Sequence, residues 1–504
     1  MPKPMTASPI VSEEKPSPGR SWLRRIVISL LIIVGFAMMF YVFENWRGNR
    51  AWKKYEQEAK AKGVPLDWRT DWPKRPLTAE PINDREFPSD RTFDQACQLL
   101  TSSVVDDEFE DLVAWEQAIE ALKSGKTPNA LRAEGFKIVY GNTNATDRAR
   151  AAEVVLEIFK ADEAFFEQVR AACHRPDPLY PFWDPSEVYL LHLAPRVFAC
   201  INMARMLRVK AAAELAAGHN AAALRDLDLL LCLSESLRND PLLISHIGHV
   251  ATLKIGLRFP WEGLALRQFT DSELKQLQEM LGEDDLIANC HGLLVSERAA
   301  MLPLFDRAKR DFNLWRVISG NRREFVKMGL PPLLSGWVDL DKLNYARFWD
   351  AILSSAFPDS GKGRINPSQL ESASSAVSER LKAGRLKHVL QHTILCSMAI
   401  PKMKDAIRNS CRAQVTRDQI KLACGLERYH LKHAGYPEKL ERLIPEFLTE
   451  MPSDPFTGDP YKFGRTANGR YAIWSVGWDV KDDGGVPTPK GHDDKGGDWG
   501  WQYL

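Results

Sequence analysis

The stretch that decides the C-terminal fold reads Tyr461-Lys-Phe463, then Thr466-Ala-Asn-Gly469, then Tyr471-Ala-Ile-Trp-Ser-Val-Gly-Trp-Asp479. Two short runs with β-strand character, Tyr461–Phe463 and Arg470–Val476, flank an Asn-Gly pair. Both positions of such a pair tolerate the positive φ of a tight hairpin turn. The pattern therefore predicts a short antiparallel sheet close to the C-terminus.

An acidic, glycine-rich loop follows the second run. It carries six aspartates, which are Asp479, Asp482, Asp483, Asp493, Asp494 and Asp498. Carboxylates on one loop repel one another unless water solvates them or they share a cation, and Ca²⁺ accepts about 6–8 oxygen ligands. The spacing is not that of an EF-hand. A solvated acidic turn and a cation site are both compatible with the residues alone.

The order of residues around this loop adds a resemblance. Tyr436-Pro437, Leu443-Ile-Pro445, Pro452-Ser-Asp-Pro-Phe-Thr-Gly-Asp-Pro-Tyr461 and Ser475-Val-Gly-Trp-Asp479 resemble the C-terminal domain of the major pseudopilin of type II secretion systems. The similarity covers roughly Ile420–Leu504. In that family the loop after the last strands binds calcium. The resemblance implies Ca²⁺ ligands at Asp479 and the Val476 carbonyl first, and at Asp482, Asp483 and Asp498 next.

The N-terminus departs from that family. Pseudopilins carry a peptidase site in which a Gly precedes Phe-Thr-x-x-Glu, and the apolar segment here follows Gly19-Arg-Ser-Trp-Leu-Arg-Arg25 instead. The resemblance therefore concerns the C-terminal domain alone. Leu242–Glu262 and Leu286–Ala300 also look similar to single-span bacterial envelope proteins that end in the same domain, a similarity that implies no activity.

Composition narrows the class of function. The chain has 504 residues, and its 67 Lys and Arg against 66 Asp and Glu argue against a general nucleic-acid binder, which needs a basic face. Its eight cysteines are scattered with no C-x-x-C, so neither a zinc ribbon nor a dense disulfide framework fits. The cysteine pattern does not exclude isolated disulfides.

A membrane anchor is expected near the N-terminus. Residues 1–20 hold five prolines and should be disordered, whereas Ile26–Phe43 is uncharged over eighteen residues. At 1.5 Å per residue this run spans about 27 Å, so a transmembrane helix is predicted over residues 24–46. Lys and Arg are similarly frequent on both sides and do not fix the orientation. The C-terminal resemblance favours a single-pass protein of the bacterial inner membrane with a periplasmic body.

The chain after the anchor is mostly helical in pattern. Residues 47–91 should form a juxtamembrane helix, ended by Gly63, and a proline-rich linker, and residues 92–415 a helical body. Within the body, Val197–Ala217 and Ala221–Leu237 predict a hairpin around Gly218. Thr270-Asp-Ser-Glu273 is a capping box. Further expectations are an irregular segment over Gly320–Gly363, a helix over Lys387–Leu431 and the pseudopilin-like domain over residues 416–504.

Histidines supply the other candidate chemistry. His246 and His249 could join Glu262, His291 or Glu297 around a metal, but a zinc protease separates its histidines by four positions with a Glu beside the first. Core histidines are the more frequent outcome of such a pattern. His388 and His392 should share one helical face, yet no third ligand lies nearby in the sequence.

The sequence thus predicts a mainly α protein with a transmembrane helix, a helical-hairpin body and a small C-terminal α+β domain. The favoured function is that of a membrane-anchored extracytoplasmic interaction or scaffold protein, linked to a secretion or pilus-like system. Its expected cofactor is a structural Ca²⁺, and its expected partners are the membrane, through Ile26–Phe43, and an envelope protein. Two alternatives are a hydrolase or metal enzyme at His246 and His249, and a polymerising pseudopilin.

Overall fold

The structure is a computed structural model of the full chain. It describes residues 18–67, 95, 100, 111–137, 145–173, 189–238, 240, 242–309, 335–359, 363–382, 387–388, 391–393, 396–397, 403–466, 469–486 and 496–502. The N-terminal tail up to residue 17, most of the expected linker, and Asp493 and Asp494 lie outside these ranges.

The described helices account for most of the fold. They are α1 (Pro18–Ala61), α2 (Leu112–Leu122), α3 (Pro128–Ala133), α4 (Ala145–Phe159), α5 (Glu163–Cys173), α6 (Tyr189–Ala216), α7 (Asn220–Arg238), α8 (Leu243–Gly256), α9 (Phe259–Ala265), α10 (Asp271–Met280), α11 (Leu286–Ala308), α12 (Ser335–Ala356), α13 (Pro367–Leu381) and α14 (Met403–His433). Short 3-10 turns cover Lys160–Asp162 and Leu440–Leu443. The prediction of a mainly α protein with one small sheet is confirmed.

The chain divides into two compact units. Unit 1 consists of Met1–Val64, Leu304–Tyr345 and Gly384–Met398, and unit 2 of Pro65–Pro303, Ala346–Ala383 and Ala399–Leu504.

Unit 1 is built on α1. Its apolar half is exposed on all sides and is long enough to cross a membrane. The helix continues without a break to Ala61, and Gly63 follows with a φ of +68°. Beyond the apolar half, a stripe of α1 is buried within unit 1, with Glu44, Gly48, Tyr55 and Ala59 as its most buried residues. The juxtamembrane helix is thus part of a folded unit.

The core of unit 2 lies between α2, α4, α6, α7 and α8. Hairpin partners α6 and α7 pack against each other and both contact α8, while α4 packs between α2 and α6. Gly218 takes a φ of +79° at the turn between α6 and α7, which a side chain would disfavour. The predicted hairpin and the Thr270–Glu273 capping box of α10 are both confirmed.

The sheet has three strands in the order β1-β2-β3. β1 (Lys462–Arg465) pairs antiparallel with β2 (Tyr471–Ser475), and β2 pairs antiparallel with β3 (Trp499–Gln502). Gly469 has a φ of +76° in the predicted hairpin turn. The third strand was not predicted, because Trp499-Gly-Trp501 is short and its partner lies more than twenty residues upstream.

Helix α14 carries the sheet. Besides β2 and β3, it contacts α8, α9, α10 and α13 of the same unit. Its buried residues consequently occupy nearly every side of the helix from Val415 to Glu427. The division of body from C-terminal domain near residue 416 stays a prediction.

Two segment predictions are wrong. Helix α12 occupies much of Gly320–Gly363, because Val338, Tyr345, Trp349 and Ile352 are all buried along its length. The helix expected from Lys387 does not run on to Leu431, since His392 has a φ of +52° and α14 begins only at Met403. His388 donates to or accepts from Thr393 Oγ1 at 2.9 Å, so His388 and His392 do not share a regular helical face.

Candidate functional site

Asp454 ties the Asp454–Tyr461 turn to the end of β2. Its Oδ2 accepts a hydrogen bond from the Val476 N–H at 3.0 Å, and its Oδ1 accepts one from the Phe456 N–H at 2.9 Å. The side chain is buried, and burial raises the pKa of its carboxyl. Two backbone donors thus hold this carboxylate at the point where the acidic loop begins.

The loop turns sharply after Val476. Gly477 has a φ of +71°, and a Cβ there would lie 2.5 Å from the Gly497 carbonyl oxygen. Only glycine fits both the conformation and the close approach. Asp479 spans the same gap, because its Oδ2 accepts from the Gly497 N–H at 3.4 Å and its Oδ1 from the Lys481 N–H at 3.3 Å. The two ends of the loop are therefore joined.

Asp498, the residue directly before β3, contacts the opposite part of the loop. Its Oδ2 accepts hydrogen bonds from the N–H groups of Gly485, at 2.7 Å, and Asp483, at 3.0 Å. Its own N–H donates to the Val486 carbonyl at 3.1 Å. The side chain is only 2% exposed, and its Oδ1 has no hydrogen-bond partner among the described residues. Burial raises the pKa of Asp498, against the opposing effect of the two N–H groups.

Asp482 and Asp483 differ in their side-chain contacts. Asp482 Oδ1 accepts from Trp474 Nε1 at 2.9 Å and from the Gly484 N–H at 3.1 Å. The Trp474 hydrogen bond lowers the pKa of Asp482. Asp483 contributes its backbone N–H to Asp498 and leaves its carboxylate in an exposed position. Asp482 is thus engaged with the sheet, while Asp483 is available to solvent or to a cation.

The five predicted ligands lie in the described parts of the loop, and their side chains do not form a cluster that could hold a metal ion. Within the described ranges, no group of three or more His, Cys, Asp or Glu side chains could hold a metal ion. A Ca²⁺ ion also takes backbone carbonyls and water as ligands. The unpartnered oxygen of Asp498 is the feature of this loop that fits a cation best, because a buried carboxylate oxygen without a donor is costly.

Two stacked tryptophan side chains pack beside the loop. Trp478 and Trp499 lie parallel with ring centroids 6.5 Å apart, and the Arg412 guanidinium of α14 lies over Trp499 at 4.5 Å. Gln419 Nε2 donates to the Trp499 carbonyl at 2.6 Å. The sequence pattern predicts neither these contacts nor the role of Asp454. The Asp-Pro-Phe order was a signal for Asp454, since Asp accepts readily from the N–H two residues on.

His246 and His249 are core residues of unit 2. His246 Nε2 lies 2.8 Å from Ser410 Oγ, and His249 Nδ1 lies 2.9 Å from Ser234 Oγ. Burial lowers the pKa of His246 to about 3 and that of His249 to about 4. Both rings are neutral at physiological pH and hydrogen-bonded to serines, an arrangement that stabilises packing and does not favour the metal-enzyme alternative.

The acids named with these histidines have other partners. Glu262 forms an ion pair with Arg148. Glu297 Oε2 accepts from the Leu243 N–H at 2.9 Å, at the start of α8, and burial raises the pKa of Glu297 to about 7. His291 packs edge-on against Phe357. The structure does not bring these side chains together with His246 and His249 into a metal site.

Comparison of the chain with models of protein families, with curated proteins and with solved structures finds no match. The pseudopilin resemblance therefore stays a prediction that rests on the residues quoted for it.

Proposed function

We propose that this protein is a membrane-anchored, extracytoplasmic interaction or scaffold protein of the bacterial inner membrane. Its C-terminal loop would bind a structural Ca²⁺, and its partner would be an envelope protein of a secretion or pilus-like system. The observation that carries the proposal is α1, whose fully exposed apolar half continues directly into a half that is packed inside unit 1.

The apolar half of α1 supports the anchor. The side chains from Ile26 to Phe43 are exposed around the whole circumference of the helix, including Ile33 at 66% and Phe36 at 64%. A helix that is apolar all round needs either a protein core or a hydrocarbon layer to cover it. Unit 1 buries only the later part of α1, so the lipid bilayer is the proposed cover for the earlier part.

A disulfide supports the periplasmic side. Cys173 at the end of α5 is bonded to Cys232 in α7, with the Cα atoms 6.0 Å apart. Disulfides persist in oxidising compartments such as the periplasm and are rare in the cytosol. The described free cysteines, which are Cys200, Cys290, Cys396, Cys411 and Cys424, are all buried. We therefore place unit 2 outside the cytoplasm.

Buried ion pairs connect neighbouring parts of unit 2. Lys210 of α6 is 2.8 Å from Asp226 of α7, which also contacts Arg170 of α5 at 3.0 Å. Arg196 and Asp240 form a further buried pair at 3.1 Å. Removing one partner of such a pair would be destabilising, because it would leave an uncompensated buried charge.

Calcium binding is supported by the loop around Asp498. The proposed ligands are its unpartnered Oδ1, the carboxylates of Asp479, Asp482 and Asp483, the Val476 carbonyl, and water. The ion would neutralise the loop and hold its two ends together. To bind the ion, Asp479 and Asp482 would have to give up their hydrogen bonds to backbone N–H groups. Asp482 would also have to give up its hydrogen bond to Trp474.

Membrane topology tests the proposal. We would place single cysteines at Ser8 and at Lys275, an exposed residue of α10, and treat spheroplasts with a membrane-impermeant maleimide, using the parent protein as background. The proposal predicts that the Lys275→Cys variant reacts in intact spheroplasts and that the Ser8→Cys variant reacts only after lysis. The reverse pattern, or release of the protein from membranes by alkaline carbonate, would refute it.

A further inference from the structure

We propose that the free face of α1, just beyond the apolar half, binds the headgroups of anionic phospholipids. This face is the stripe formed by Trp46, Arg50 and Lys53. The inference rests on the proposed membrane anchor and specifies the lipid that the anchor recognises.

The position of the stripe follows from the unbroken helix. At a 1.5 Å rise, Trp46, Arg50 and Lys53 lie about 4.5, 10.5 and 15 Å beyond Phe43, the last residue of the apolar run. The headgroup layer on each side of a bilayer is about 5–8 Å thick. Trp46 therefore falls inside that layer, and the Cα atoms of the two cations lie beyond its outer edge.

The stripe lies opposite the face that docks into unit 1. With 3.6 residues per turn, Trp46, Arg50 and Lys53 fall within about 60° of one another. Glu44, Gly48, Tyr55 and Ala59 are buried on the other side of the helix. Unit 1 therefore covers one side of α1 where the helix emerges from the membrane. The stripe lies on the opposite, uncovered side, which lipid headgroups can contact.

The two cations of the stripe have no carboxylate partner among the described residues. Farther along the same helix, Lys54 pairs with Glu58 at 3.9 Å and Lys60 with Glu56 at 2.7 Å. Arg50 instead lies over the Trp46 ring, with its guanidinium carbon 5.4 Å from the ring centroid. Its charge is thus held against an aromatic ring of the type that lies at membrane interfaces.

The direction of the side chains favours the membrane. Side chains on an α-helix tilt toward its N-terminus, and the N-terminal direction of α1 at this point is toward the apolar run. Arg50 and Lys53 consequently reach back toward the headgroups. Near a membrane surface each Lys or Arg favours anionic lipid by about 1 kcal/mol, a factor of about five.

Spin-labelled lipids test the inference on the full chain in phosphatidylcholine bilayers. Electron paramagnetic resonance would compare the fraction of labelled phosphatidylglycerol and of labelled phosphatidylcholine that the protein immobilises. The test variant is Arg50→Gln/Lys53→Gln. The matched control is Lys54→Gln/Lys60→Gln, which removes the same charge from the same helix at positions that already have partners.

We expect the wild-type protein to favour phosphatidylglycerol by about threefold or more. The Arg50→Gln/Lys53→Gln variant should lose at least half of that preference, and the control should keep it. An equal loss in both variants, or no preference in the wild type, would overturn the inference and leave the anchor standing. If the protein immobilises neither lipid, the anchor itself is wrong, and the inference with it.

Discussion

Gly48 of α1 and Gly336 of α12 meet without room for a side chain, because a Cβ on Gly48 would lie 2.1 Å from the Gly336 carbonyl oxygen. The contact is reciprocal, since a Cβ on Gly336 would lie 2.2 Å from the Glu44 carbonyl oxygen. The Gly336 N–H donates to Asn45 Oδ1 at 2.7 Å, and Trp337 Nε1 donates to Glu44 Oε2 at 3.0 Å. Unit 1 thus packs against the residues of α1 that directly follow the apolar run.

This contact predicts a strong effect of a single methyl group. Gly48→Ala should destabilise unit 1 by at least about 1–3 kcal/mol, because the new Cβ meets backbone atoms and not a flexible side chain. The matched control is Gly35→Ala in the same helix, where no heavy atom lies within 4 Å of the added Cβ. Thermal unfolding of the full chain in detergent measures both. Equal midpoints for the two variants would show that the close contact does not form.

The buried histidines predict a pH dependence. Burial lowers the pKa of His246 to about 3, whereas an unfolded histidine titrates near 6.5. Below about pH 6.5 the histidine binds a proton in the unfolded chain but not in the folded chain. The free energy of unfolding therefore falls as the pH falls below about 6.5, and above that pH this histidine does not lower it. The slope from this group is about 1.4 kcal/mol per pH unit.

A comparison of the wild type with the His246→Asn variant separates the pH dependence of stability that His246 causes from the pH dependence that the buried acids cause. Urea unfolding between pH 5 and 7 should show a shallower dependence of stability on pH in the variant than in the wild type. Parallel curves would mean that His246 does not have the lowered pKa.

Asp454 should stabilise the C-terminal region through its two backbone donors. Asp454→Ala leaves the N–H groups of Val476 and Phe456 without their acceptor, and each unpaired buried group costs about 1–3 kcal/mol. Asp459→Ala removes an exposed carboxylate from the same turn and should change stability little. The free energy of unfolding in urea measures both, and a similar loss in the two variants would contradict the role assigned to Asp454.

The disulfide predicts a specific chemical result. Alkylation of the denatured protein without reductant should leave Cys173 and Cys232 unmodified, and mass spectrometry should find their peptides linked. Because the two residues are 59 positions apart, their bond should contribute about 2–4 kcal/mol to stability, which Cys232→Ser would remove. Alkylation of both thiols before reduction would contradict the bond and weaken the assignment to the periplasm.

The features predicted well from the sequence depend on neighbouring residues. The α6–α7 turn needs only Gly218 and the apolar patterns beside it, and the cap of α10 needs only Thr270 and Glu273. Likewise, the β1–β2 hairpin follows from its Asn-Gly pair. The apolar run of α1 is also long enough to be recognised from the sequence as a helix that could span a membrane.

The features missed depend on residues far apart in the chain. The sequence of α12 does not indicate a helix by itself, because the partners of Gly336 and Trp337 lie in α1, far away in the chain. In the candidate site, the five predicted ligands belong to an acidic stretch that can be recognised directly in the sequence. The burial of Asp498 and the contacts of Arg412 and Gln419 of α14 with Trp499 cannot, because they arise from tertiary packing.

The measurement that tests the calcium proposal most directly is the thermal midpoint of the full chain with calcium and with chelator. The variant is Asp498→Asn, whose amide oxygen can still accept from Gly485 and Asp483, and the control is Asp459→Asn. At a calcium concentration of about 100 times Kd, binding to the folded state adds about 2.7 kcal/mol. We predict a calcium-dependent rise of the midpoint in the wild type and in Asp459→Asn, and its loss in Asp498→Asn. Identical midpoints for the wild type in calcium and in chelator would contradict a calcium-binding loop.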